Sequence, residues 1–108
     1  MTTQEEFEKV MAICREVFVK KMHDYGTAWR ILRTTSLTDQ IYIKANRIRS
    51  LQTKGHAMVN EGITPEFIGI INYAIMALIQ LELGVSDGTD ENDLRDKRAA
   101  ELYDKHAA

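Results

Sequence analysis

Apolar positions along the chain recur at steps of three and four rather than two, and Gly, Pro and hydroxyl residues cut that pattern into helical segments. Phe7, Val10, Met11, Cys14, Val17 and Phe18 make one stripe, continued a turn later by Met22. Thr3 and Glu6 have capping-box spacing at its start, and Gly26 suits a left-handed terminal residue after Asp24 or Tyr25. The connection over residues 26–35 contains Trp29, Ile31 and Leu32 and should fold back on the core. A second helix is predicted from Ser36, with Asp39 in its first turn, to Lys54 before Gly55. Its stripe is narrow: Ile41, Ala45, Ile48, and Leu51 or Gln52. The third has Thr64 as N-cap, Pro65 at the first helical position, Glu66 next, and Gly84 at its end. Residues 85–89 read as a polar linker, and Asp90 can cap a last helix to about His106. The prediction is an all-α bundle of about four helices, with a central apolar helix over about residues 65–83. Residues 1–84 form its core domain, and 85–108 its linker and terminal helix.

Length and composition narrow this picture. At 108 residues the chain fits one domain. Hydrophobic residues make up 44%, too many for a disordered chain at a net charge of −2. A lone Cys excludes an internal disulfide framework, agrees with a reducing compartment, and falls on the first apolar stripe as a core residue. The start, MTTQEEFEK, is acidic and opens no signal-type apolar run. The stretch from Phe67 to Leu83 is short for a membrane span and holds Asn72, Gln80 and Glu82, so it reads as the buried helix of a soluble, cytoplasmic bundle.

Charge is unevenly spread. Residues 20–54 carry eight Lys and Arg against Asp24 and Asp39, a local +6, whereas residues 82–108 carry eight acids against four bases, a local −4. The small negative total argues against long nucleic acid; the cationic segment points to a small anion.

The chemistry concentrates in that segment. Lys20 to Arg30 packs two Lys, His23, Asp24, Tyr25, Trp29 and an Arg around one Gly turn. Cations there can hold phosphate, an aromatic face can stack on a base, and a carboxylate can take Mg²⁺ or a ribose hydroxyl. The same residues also suit a plain helix end, with Lys and His at the negative pole and Trp29 plugging the core. Lys44 and Arg47 stand one turn apart on one helix face, able to grip a polyphosphate or simply to be solvated. Few acids lie nearby in sequence to pair with them, so an anion is the expected partner. Asn72, beside Tyr73 in an apolar helix, must pair with another helix or face a polar cavity. Glu61 and Glu66 could hold a divalent metal with Asp24, although Glu66 also suits a first helical turn. His23, His56 and His106 show no metal-ligand spacing, and no phosphate loop, nucleophile elbow or HExxH is present.

Taken in order, Lys21-x-x-Asp24-Tyr25-Gly26-x-x-Trp29-Arg30, Lys44-x-x-Arg47, Glu61 and Asn72-Tyr73 resemble the nucleotide modification associated domain family, first type, formerly a domain of unknown function. The likeness covers roughly residues 5–84. It implies an all-helical fold of bacterial or phage origin, acting in nucleotide or modified-base metabolism and distantly similar to MazG-like pyrophosphatases. Those enzymes use Mg²⁺ held by helix-borne acids. Relatives carry acids where this chain has Pro65 and Gly69, so the resemblance favours nucleotide binding over hydrolysis and designates no catalytic residue. Residues 91–108 resemble the helix that joins two such units in tandem relatives, which implies a longer parent protein.

The resulting expectation is a nucleotide-binding domain. Lys21, Arg30, Lys44 and Arg47 would contact phosphate, Asp24 and Glu61 (with Glu66) would hold Mg²⁺ or sugar, Tyr25 or Trp29 would stack, and Asn72 and Tyr73 would complete the site. Mg-dependent pyrophosphohydrolysis is its enzymatic form. The alternative is a helical interaction module; on either reading a homodimer is expected, because the last helix is weakly apolar.

Overall fold

The computed structural model describes residues 1–55 and 59–86. Among these residues there are three α-helices, a short 3₁₀ turn and no strand, so the all-α class holds. The fourth helix expected over 90–106 lies outside the described residues.

Helix α1 spans Thr3–Tyr25. Its capping box falls one residue earlier than expected: the Glu5 amide donates to Thr2 Oγ1 at 3.1 Å, and the Thr2 amide donates to Glu5 Oε1 at 3.3 Å. Thr2-x-x-Glu5 and Thr3-x-x-Glu6 have the same spacing, and the first puts the helix start one residue further out. At the other end Gly26 closes the helix by donating to the Met22 carbonyl. Its φ of 72° is the positive value expected, but its ψ of −158° is not left-handed helical, so the chain leaves α1 extended. Cys14 and Phe18 are buried, whereas Phe7 and Val10 of the same stripe are exposed. A 3₁₀ turn follows over Ala28–Ile31.

Helix α2 spans Thr34–Lys54, starting two residues before Ser36. Arg33 takes the N-cap without a side-chain bond, so the cap that Ser36 could supply is forgone. The extra residues enclose Leu37, fully buried in the first turn, and burying a Leu outweighs a cap worth about 1 kcal/mol. Gly55, with φ 64° and ψ 31°, ends the helix in the left-handed region as expected.

Helix α3 spans Val59–Leu83. Thr64 and Pro65 therefore do not open it, and Thr64 Oγ1 instead donates back to the Asn60 carbonyl at 2.8 Å. Pro65 costs the Glu61 carbonyl its helical donor, a loss that solvent can make good because residues 60–62 are exposed. With this extra length α3 is long and apolar enough to cross a membrane by length and composition. It is less buried than expected. Asn72, Ile79 and Gln80 are its buried residues among those described, while Phe67, Leu78 and Leu81 stay exposed.

The described residues fall into two compact units, residues 1–31 with Ser86, and Leu32–Val85. In the first, Trp29 meets Phe18 edge-on, with ring centroids 6.1 Å apart, and the Ser86 amide donates to the Arg30 carbonyl at 2.8 Å. In the second, α2 and α3 form an antiparallel hairpin. The pairing steps down one helix and up the other: Leu51 faces Gly62, Arg47 faces Glu66, Lys44 faces Gly69, and the Leu32 carbonyl accepts from Gln80 Nε2 at 2.6 Å.

Candidate functional site

The second unit brings Lys44 and Arg47 of α2 onto one carboxylate of α3. Lys44 Nζ donates to Glu66 Oε2 at 3.2 Å, and Arg47 Nη1 donates to Glu66 Oε1 at 3.0 Å. Each oxygen of the carboxylate thus takes its own cation. The two bases stand three residues apart, so one face of α2 presents both, and the antiparallel pairing delivers Glu66 opposite them. The scarcity of acids near these cations in sequence does not hold in space: their partner lies 19 and 22 residues away.

Lys44 is fixed from two further sides. Its stem crosses α3 at Gly69, where an added Cβ would come within 2.6 Å of Lys44 Cε. Its ammonium sits 5.8 Å from the centre of the Tyr73 ring, within cation–π range. A helical Gly costs up to about 1 kcal/mol relative to Ala, and here it opens the lane the lysine occupies. Nothing local to Gly69 in the sequence signals this role, because the Lys it admits lies on the facing helix.

Burial grades the three groups. The Glu66 side chain is 14% exposed, that of Lys44 21%, and that of Arg47 55%. Burial alone would raise the Glu66 pKa, but hydrogen bonds from Arg47 and Lys44, with their charges, outweigh it and hold the carboxyl below its ordinary value. Glu66 is therefore ionised at neutral pH and engaged. Among the described residues no group of three His, Cys, Asp or Glu side chains could hold a metal ion. Within the second unit Glu61 is exposed in the first turn of α3 and Glu66 already accepts from two cations, whereas Asp24 belongs to the first unit.

The first unit treats its expected site residues differently. Lys21, Asp24 and Tyr25 are exposed on the last turn of α1, Tyr25 at 80%. Arg30, expected on phosphate, is buried at 3% exposure with its guanidinium 5.7 Å from the Trp29 ring centre. Trp29 is half-buried against Phe18, which is the core-plug role among its two readings. In the second unit Asn72 is buried at 6% exposure, and Tyr73 stands beside Lys44. Gln80, noted in the sequence only as a polar interruption, anchors the start of the hairpin.

A family model described as nucleotide modification associated domain 1 matches residues 21–81, more than half of the chain. The chain belongs to that family. All of the Lys44–Arg47–Glu66–Tyr73 cluster lies inside the matched segment of this nucleotide modification associated domain. No curated protein and no solved structure matches the chain.

Proposed function

We propose that the domain binds the phosphate of a nucleotide at the Lys44–Arg47 pair. The observation that carries this reading is the bidentate grip on Glu66: two cations, 3.2 and 3.0 Å from the two oxygens of one oxyanion, beside an aromatic ring. A phosphate, like a carboxylate, can accept from both cations on two oxygens, and a terminal one carries more charge. Membership of a family named for nucleotide modification supports the choice of ligand class. The binding we propose rests on the protein's own cations, and Mg²⁺ is added or withheld as a variable. Pyrophosphohydrolysis, measured as pyrophosphate release from a bound triphosphate, is the reaction proposed for the enzymatic form of the domain, in the bacterial cytoplasm.

Thermal shift with nucleoside mono-, di- and triphosphates tests the reading. A ligand at 100 times its Kd adds about 2.7 kcal/mol of stability. Arg47→Glu, at a half-exposed side chain, should abolish the shift while leaving the helical signal intact; a shift that survives this variant removes the site from consideration.

A second reading, self-association, is favoured by the outer row of α3. Phe67, Ile71, Ala74, Leu78 and Leu81 alternate at steps of four and three, the spacing of a helix–helix seam, and Phe67, Leu78 and Leu81 are exposed.

A further inference from the structure

We propose that Glu66 is a resident anion that sets the charge a ligand must bring: it holds Lys44 and Arg47 in the free domain and yields them only to a phosphate group of about two negative charges. The ligand class is then the terminal phosphate monoester of a nucleotide, or pyrophosphate, and not a phosphodiester or a carboxylate. This rests on the phosphate-binding reading and adds the rule of selection at the same site.

The geometry supplies the competitor. Both Glu66 oxygens are occupied by the two cations the ligand needs, so the ligand and Glu66 contend for the same donors. Glu66 is carried on a helix that packs against α2, so its carboxylate is present at an effective concentration on the order of millimolar or higher. A phosphodiester has one charge, as Glu66 does. Exchanging one single charge for another gains no Coulomb energy and still costs the entropy of association. A terminal phosphate carries about −1.5 to −2 at pH 7 and three acceptor oxygens. It can take both cations at once and more than replace what Glu66 gave.

Exposure suggests the order of exchange. Arg47 is the most open of the three, and Nη1 is the atom that bonds Glu66, so the rest of its fork is available to meet an incoming phosphate. Lys44, crossing Gly69 beside Tyr73, stays in place to receive the second oxygen. Glu66 needs only a side-chain rotation to leave.

The test is calorimetric titration of the wild-type domain, Glu66→Gln and Glu66→Asp with inorganic pyrophosphate, ADP, AMP and 3′,5′-cyclic AMP. Glutamine keeps the size and removes the charge; aspartate keeps the charge and retracts it by one methylene. The proposal expects the wild type to bind the first three and not the cyclic diester. Glu66→Gln should bind every probe about tenfold or more tightly, bringing the diester into the measurable range, because a competing charge in a partly desolvated pair has gone. Glu66→Asp should fall between. If the wild type binds pyrophosphate but Glu66→Gln binds it equally or less well, Glu66 orients the cations rather than competing for them; the proposal falls and the phosphate reading stands. If no form binds any probe, the phosphate reading falls with it. Should Glu66→Gln fail to fold, the wild-type preference for AMP over its cyclic diester, with the Glu66→Asp response, decides the matter alone.

Discussion

Glu66 holds two cations from a position that is mostly out of water, and that arrangement has a pH signature. Its folded pKa lies below its ordinary value, so the native state takes up the proton less readily than the unfolded chain does. The stabilisation is whole at neutral pH and drains away as acid carries the carboxyl from the ordinary range, about 4.3, down through the folded pKa. In thermal melts from neutral to strongly acid solution, the wild type should lead Glu66→Gln at neutral pH and lose that lead as the pH falls. A lead independent of pH would mean the pair contributes through packing alone. The magnitude should be modest: an exposed ion pair is worth about 0–1 kcal/mol, and the Arg47 end of this one is half exposed. Arg30 is a charge in a different setting, buried beside the Trp29 ring.

At the scale of elements, the hairpin depends on how closely α2 can cross α3. Gly62 and Gly69 lie two turns apart on α3, and Leu51 and Lys44 lie two turns apart on α2, so each small residue admits one large side chain. Gly69→Ala separates the two consequences of that design. Helix propensity should gain up to about 1 kcal/mol, while the new Cβ must push aside the flexible end of Lys44, 2.6 Å from it. Urea unfolding should therefore change little, and pyrophosphate affinity should fall several-fold; unchanged affinity would show that the Lys44 path is not needed. Helix existence was legible in the sequence, as were the stops at Gly55 and Gly84, because these follow from local periodicity and a positive φ. The starts were less so. Thr2 and Thr3 offer the same capping spacing, burial of Leu37 overrode Ser36, and Pro65 was absorbed into a helix that begins earlier. Lys44 and Arg47 were legible as a shared face; Glu66 as their partner was not, since only the register between two helices joins them.

For the whole molecule, the apolar row on α3 is one feature that packing among the described residues leaves open. Leu78 is 64% exposed and Leu81 71%, one turn apart. A soluble chain with such a row tends to cover it, and the four–three spacing suits a helix from a second copy. Light scattering on Leu78→Glu with Leu81→Glu should show the assembly reduced to the monomer mass with the helical signal kept. A wild type already monomeric at high concentration would retire the self-association reading.

The contact between Trp29 and Phe18 bears on how such measurements are read. The chain has a single Trp, and it sits in the unit formed by residues 1–31 with Ser86, whereas Lys44, Arg47 and Glu66 belong to the other. Indole fluorescence is thus an optical label on one unit alone. A tryptophan shift on adding phosphate would therefore be a response felt in the unit that does not carry Lys44, Arg47 and Glu66.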